Sequence, residues 1–446
     1  MGRRFAWGCL GFLGLVLAPL ASMAGESLPD AVRKAVRHHP ELAAAKSQNR
    51  AARADLGQAI ANFLPTLDLK AGSGSEISNN SSTRGRRGRQ EEANVEQWRS
   101  EGSLTLSQTL FEGFSGKSRY DRQQHVIASS AHTVRSVADT VALAAIEAFL
   151  EVGRQREVLK LGQENLDEHN RILIQMRQRE QAGRGRKADT LQAQGRYALA
   201  HSTLVATRLR LKEVEVQYLK AVGEAPPEAL EPVVTIEDMI PKNLTEAEIR
   251  ALAANPQLSA AQANIRATQA VKREAESGWW PKISAEVNVG RARNLDGVKG
   301  INNETMAMLV FRYNFYKGGA DLARVRAETE RISESIQKSL QVRLAVEEDV
   351  RKTWHALQAT QERLLDLEDY VNATTLVRQA YLDQFALGER SLLDLLDSEN
   401  ELYNARTMLL AARHAEAFGY YRLLAAIGTL LPTLDVPMPE EARSED

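Results

Sequence analysis

The chain has 446 residues, with 57 Lys+Arg against 58 Asp+Glu, a formal net charge of −1 and 6% aromatic residues. So even a balance leaves no basic footprint for nucleic acid, and so few aromatics argue against a large compact aromatic core. The only cysteine is Cys9, so disulfide and thiolate chemistry are excluded from everything that follows it.

Residues 1–24 read as a secretory signal peptide. Arg3 and Arg4 form the positive start, Leu10 to Leu20 the apolar stretch, and Ser22-Met23-Ala24 the small-residue cleavage site. The apolar stretch is too short to span a bilayer as a helix. Cleavage would leave 57 − 2 = 55 basic residues against 58 acidic ones. No later segment combines the length and apolarity of a membrane helix.

The remainder is a tandem duplication. Pro40 and Pro65 are matched by Pro256 and Pro281 at an offset of 216, and Gly113, Gly183, Asp189 and Gly223 by Gly318, Gly388, Asp394 and Gly428 at an offset of 205. His39-Pro40-Glu41-Leu42 answers Asn255-Pro256-Gln257-Leu258, and Leu110-Phe111-Glu112-Gly113 answers Phe315-Tyr316-Lys317-Gly318. A repeat on this scale points to an architectural unit, not to one catalytic pocket. It divides the chain into a first repeat (25–223), a connector rich in proline and acid (224–243), a second repeat (244–428) and an acidic tail (429–446) expected to be flexible.

Within each repeat a strand pair precedes a helical hairpin. Leu67, Leu69 and Ala71 alternate with polar residues, as do Leu104 and Leu106, then Ile283, Ala285, Val287 and Val289. Ala307, Leu309, Phe311, Tyr313 and Phe315 continue the pattern. These period-two segments of roughly ten residues have the length that crosses a bilayer in a tilted barrel. Residues 76–100, with the basic run Arg84, Arg86, Arg87 and Arg89, read as a solvated polar loop. Four strands cannot close a barrel alone, and a lipid-exposed edge is not tolerated, so strands must be pooled between chains. The alternative is a soluble strand pair packed on the helices.

No proline occurs between Pro65 and Pro226 or between Pro281 and Pro432, which permits very long helices. The segments from Gly116 to Gly183 and from Gly319 to Gly388 would each extend about 100 Å. Apolar heptads (Leu159, Leu166, Leu173; Leu357, Leu364, Val371; Leu396, Tyr403, Leu410) predict coiled-coil packing. Each helix turns at Gly183 or Gly388 and returns as a shorter one.

The stretch from Phe385 to Asn400, with Gly388, Arg390, Asp394 and Asp397, closely resembles the second-hairpin turn of the TolC family, the trimeric outer-membrane channels of Gram-negative bacteria. Asn255-Pro256, Trp280-Pro281 and Phe315-Tyr316-Lys317-Gly318-Gly319 resemble landmarks of the same family. The segments Gln108 to Gly113 and Gly183 to Asp189 look most like members serving type I secretion, especially of large adhesins. The resemblance implies a mainly α fold with membrane β-structure: four strands per chain pooled into a twelve-stranded barrel by a homotrimer, continued by a periplasmic α-helical barrel. It places the protein in the outer membrane lipid, extending into the periplasm, with a periplasmic adaptor and an inner-membrane ABC transporter, or another efflux pump, as partners. Residues 224–243 match the family's equatorial region.

By the same resemblance the hairpin turns form a closed periplasmic tip. Asp394 and Asp397, three apart on one helix face, would line its aperture, and threefold symmetry would make a ring of carboxylates that favours cations. Arg390 matches a residue that holds neighbouring hairpins together. Phe385 stands where some members carry a tyrosine that hydrogen-bonds the other hairpin, and phenylalanine has no hydroxyl for that latch contact. Asp189 matches an acidic partner position, with Arg186 or a neighbouring Arg390 as its counter-charge.

Enzyme signals are poor. Gly116-Lys117-Ser118 resembles the end of a phosphate loop, but Phe111 stands where its first glycine belongs. The histidines, His38 and His39 included, form no metal or catalytic constellation, and no cofactor is implied. The leading reading is a passive export duct for a protein cargo. The others are a small-molecule efflux channel and, in a different class, a structural coiled-coil or adaptor protein.

Overall fold

The computed structural model describes residues 25–85, 94–233 and 236–443. The signal segment and Arg86, Arg87 and Arg89 lie outside the described residues. The first repeat runs through helices α1 (Leu28–His38) and α2 (Pro40–Ala61), strand β1 (Thr66–Ser78), short helix α3 (Ser81–Gly85) and strand β2 (Val95–Phe111). It continues in α4 (Ser115–Gln181) and α5 (Lys187–Val222). The second runs through α6 (Leu244–Ala254), α7 (Pro256–Glu276), β3 (Lys282–Arg293), β4 (Ile301–Arg312), α8 (Ala320–Leu387) and α9 (Leu392–Ile427). A single-turn α10 (Leu430–Thr433) follows. The long helices have 67 and 68 residues, and both return helices have 36.

The duplication holds at the level of backbone angles. Pro40 forces the preceding His39 out of the helical region (φ −66°, ψ 127°), and Pro256 does the same to Asn255 (φ −63°, ψ 123°). Each break ends one helix and starts the next with proline in its first turn. Asn255 secures the second break: its Oδ1 accepts from the Gln257 and Leu258 amides, and its Nδ2 donates to the Ala426 carbonyl.

The four strands form one antiparallel sheet in the order β1-β2-β3-β4. Register aligns Leu67, Leu106, Val287 and Ala307 in one row and Leu69, Leu104, Val289 and Thr305 in the next. Side chains alternate across a strand, so the row between them, Asp68, Thr105, Asn288 and Met306, faces the other way. One face is therefore apolar and the other largely polar. Aromatic side chains, among them Phe111, Phe114, Trp280, Tyr313 and Phe315, gather where the sheet meets the helices. Parts of the stretch expected to be loop are strand, since β1 reaches Ser78 and β2 starts at Val95. Beside the β3–β4 turn, Asn80 donates to the Asp296 carbonyl and Gln97 of β2 to that of Gly297.

The main core sits where both hairpins meet the short helices. It is built from α1, α4, α5, α6, α8 and α9, with Ile146, Tyr218, Leu423 and Ile427 fully buried. Residues 429–443 correct the expectation of a flexible tail. Leu430 and Leu431 are fully buried in this core, Leu434 and Val436 join them, and Glu441 pairs with Arg50 at 2.9 Å. Proline and acid content concealed a short apolar patch that the helix ends needed to cover their own exposed surface. Among the described residues, no helix is long and apolar enough to cross a membrane.

Each strand pair hands over to its long helix through two consecutive left-handed residues, Gly113 (φ 64°) and Phe114 (φ 64°) in the first repeat and Gly318 (φ 63°) and Gly319 (φ 82°) in the second. A Cβ at Gly113 would lie 2.6 Å from Trp280 Cβ and 2.7 Å from the Ser277 carbonyl oxygen, whereas one at Gly318 would meet nothing within 4 Å. Gly318→Ala should thus cost only the left-handed strain, about 1 kcal/mol. Gly113→Ala adds a backbone clash and should lose about 3 kcal/mol. Thermal unfolding of the two purified variants checks this, and equal losses would contradict it.

Candidate functional site

Both hairpins turn on glycine. Gly183 (φ 70°) ends the first ascent and Gly388 (φ 83°) the second. The backbone amide of Arg184 closes on the Arg179 carbonyl and that of Glu389 on the Gln384 carbonyl, each at 2.9 Å. Both are helix-ending turns of the kind that left-handed glycine permits. The return helices then start differently. Ser391 caps α9 by accepting from the Asp394 amide, while Arg186 occupies the same place on α5 without a side-chain cap. Asp394 and its repeat equivalent Asp189 both stand in the first turn of their helices, where the helix dipole favours a negative charge.

An apolar cluster binds the two turns together. Ile172, Leu173 and Met176 of α4 and Ala193 of α5 pack with Phe385 of α8 and with Leu392, Leu395 and Leu396 of α9. The Arg179 guanidinium lies 4.7 Å from the Phe385 ring centroid. Phe385 thus joins the hairpins without a hydroxyl. Its burial contributes about 1.5–3 kcal/mol and the cation above its ring about 0.5–1 kcal/mol, against about 1 kcal/mol for the hydrogen bond of a tyrosine. At this position the contact between the hairpins is apolar.

The predicted tip residues divide into two groups. Asp397 is paired with Arg196 of α5 at 2.5 Å, an ion pair between hairpins. Asp394 pairs with Arg390 at 3.8 Å within its own turn. Arg390 also donates to Gln384 Oε1 and lies 4.1 Å above the Tyr381 ring. Asp189 is half-buried and Arg186 exposed. Among the described residues, neither side chain forms an ion pair, so within one chain Arg186 is not the partner of Asp189. The exposed pairs contribute at most about 1 kcal/mol each.

The stronger polar link lies deeper, and the sequence reading missed it. Arg378 of α8 reaches Glu399 of α9 at 2.5 Å and Glu168 of α4 at 3.3 Å. The Glu399 side chain is only 6% exposed, and burial pushes its carboxyl above the usual range even with Arg378 beside it. Further up the α4–α9 seam, Arg406 approaches Glu164 at 3.7 Å and His414 approaches Glu151 at 3.3 Å. Burial holds His414 below the ordinary histidine value. No local spacing in the sequence joins residues some 200 positions apart. The one available signal was charge at positions interrupting the apolar heptads of both helices.

Comparison with known proteins places this architecture. The sequence profile of the family described as outer membrane efflux protein matches residues 31–224 and 249–429. The outer membrane efflux protein BepC of Brucella suis is 24% identical over 73% of this chain and 72% of its own. The alkaline protease secretion protein AprF of Pseudomonas aeruginosa is 24% identical over 96% of this chain and 89% of its own. The outer membrane protein TolC of Escherichia coli is 23% identical over 94% and 85%. The crystal structure of the Campylobacter jejuni CmeC outer membrane channel superposes with a TM-score of 0.78, at 15% identity, covering 94% of this chain and 90% of that one.

The buried arginine makes a pH-dependent prediction. Arg378→Met leaves Glu399 without its cation and should cost about 3 kcal/mol near pH 8. The folded-state pKa of Glu399 then lies still further above its unfolded value, so stability is retained below about pH 4.5 and lost as pH rises through the folded value. Thermal unfolding of the variant should therefore approach wild type as the buffer is taken from about pH 8 to about pH 5. Adding Glu399→Gln to the variant should abolish the dependence. A loss of equal size at both pH values would contradict this assignment.

Proposed function

Because the chain belongs to the outer membrane efflux protein family, we propose that it is the outer-membrane duct of a tripartite type I secretion system, assembled as a homotrimer and passing a protein cargo, a large adhesin, out of the cell. At the coarser level it is an outer-membrane efflux or secretion channel of Gram-negative type with the fold of the TolC-like trimeric channels, and it is a conduit, not an enzyme. The single observation that carries the duct is the sheet. It has one apolar face and one largely polar face, and among the described residues the outer edges of β1 and β4 are unpaired. Three such sheets joined edge to edge give a barrel that meets hydrocarbon outside and water inside. The long hairpins supply the passage beyond it.

Secretion of protein is favoured by the nearly full-length likeness to AprF, whose name assigns it to export of a protease. A small-molecule efflux role is the second reading, favoured by the likeness to BepC. In either case the partners are a periplasmic adaptor and an inner-membrane transporter, an ABC transporter for the secretion reading. Transport energy comes from the transporter. An adaptor would carry one hairpin between small β domains, whereas this chain has two equivalent hairpins, each behind a strand pair.

The tip is the proposed gate. Asp394, Asp397, Arg390 and Phe385 from the second hairpin and Asp189 and Arg186 from the first would surround the aperture of the closed trimer. A partner that binds the open state better shifts the population toward it. Single-channel conductance in planar bilayers tests the proposal. Wild type should show a small, cation-selective conductance, and Asp394→Ala/Asp397→Ala should bring the cation-to-anion permeability ratio down toward one. Arg196→Ala, which frees Asp397 from its counter-charge, should raise that ratio. Channels unchanged by all three substitutions would remove these residues from the gate, and absence of conductance from membrane-inserted protein would remove the duct.

A further inference from the structure

Toward the end remote from the helices the apolar face of the sheet gives way to small, polar and charged residues. On β3 it runs Ile283, Ala285, Val287, Val289 and then changes to Arg291 and Arg293. Register confirms the side. Arg291 is opposite Gly102 and Asn303, with Ala71 one strand further, and Arg293 is opposite Ser100 and Ile301, with Ser73 beyond. Both arginines therefore stand on the lipid-facing side, the first only one row, about 6–7 Å, beyond Val289.

Neither is paired. Arg291 and Arg293 are exposed, and among the described residues neither has an ion-pair or side-chain hydrogen-bond partner. The contrast lies on the opposite face at the same height, where Arg99 is held by Glu76 and Glu101, with Asp296 3.9 Å away. The nearest outward acid on β2, Glu96, is two rows further out and accepts from Ser75. On the β2 side of the two arginines stand the small residues Gly102 and Ser100, with Ala71 and Ser73 beyond, and on the β4 side Asn303 and Ile301. Trp98, also on the outward face, donates its indole N–H to Ser73 Oγ at 2.8 Å, and tryptophan belongs at the boundary between hydrocarbon and headgroups.

An arginine one row outside a lipid-facing apolar band lies at the depth of the headgroups. Its planar fork matches a phosphate with two parallel hydrogen bonds. We propose that Arg291 and Arg293 form a binding site for the phosphate groups of the anionic glycolipid of the outer leaflet, once per chain and so three times around the barrel. The inference rests on the reading of the sheet as part of an outer-membrane barrel.

The test is retention of lipid A by purified protein through exchange into a delipidating detergent, counted by native mass spectrometry, with planar-bilayer conductance measured on the same samples. Wild type should retain lipid A. Arg291→Gln/Arg293→Gln should retain about tenfold less, as expected for lost charge-assisted hydrogen bonds, while conducting as before, and Arg291→Lys/Arg293→Lys should fall between them. Dephosphorylated lipid A should be retained about as poorly by wild type as lipid A is by the glutamine variant. Equal retention of lipid A by the glutamine variant would overturn the proposal. So would full displacement by an equal concentration of inorganic phosphate, which would make the ligand a free anion. Loss of conductance in wild type would remove the barrel reading, and this inference with it.

Discussion

The outer edges of β1 and β4 carry backbone N–H and C=O groups that a single chain cannot satisfy. In water they would be hydrated. In hydrocarbon each unsatisfied group costs several kcal/mol, and a whole strand edge is prohibitive. Much of the rest of the structure follows from this. The strands must meet those of other chains, so their two faces must differ, and the rows led by Leu67 and Asp68 do differ. Closing a barrel also requires each chain to present its edges at a reproducible angle. The left-handed turns at Gly113 and Gly318, wedged beside the ring of Trp280 in the first repeat, fix the exit from sheet to helix.

Below the sheet the constraint changes from backbone satisfaction to side-chain packing. The long helices touch through alanines and leucines at heptad spacing, and the two hairpins of one chain are joined along the α4–α9 seam. That seam is apolar at the tip, around Phe385, and polar above it, where Arg378 bridges Glu168 and Glu399. Surface pairs such as Arg390 with Asp394 are weak. The stability of the hairpin pair therefore rests mainly on the apolar cluster and the buried Arg378 bridge, and little on the exposed pairs.

Much of the fold was legible because its signals are local and repeated. Proline gaps, terminal glycines and heptads placed both hairpins within a residue or two of their observed ends. Alternation located the cores of all four strands, though Tyr313 and Phe315 lie beyond the end of β4 at Arg312, and β2 is longer than its apolar segment implied. Residues 430–436 were missed because their apolar patch is short and makes sense only against the packed ends of α4 and α9. The site was half legible. Asp394, Asp397 and Arg390 stand out by position, but their counter-charges come from another hairpin or from the turn itself. Arg378, Glu168 and Glu399 become visible only when helices distant in sequence are laid side by side. Phe385 shows the reverse case, a substitution whose loss of a hydroxyl was legible and whose gain of packing was not.

The pooling of edges between chains is open to direct measurement, because Cys9 is the only native cysteine and precedes all of the strands. Leu69→Cys on β1 would be combined in turn with Thr305→Cys, Ala307→Cys and Leu309→Cys on β4, all on the apolar face. After oxidation in membranes, a barrel of three chains predicts that one register crosslinks to a covalent trimer on a denaturing gel and that a reductant returns it to monomer. Monomers in every combination, or ladders extending beyond three chains, would contradict closure of the barrel by three sheets.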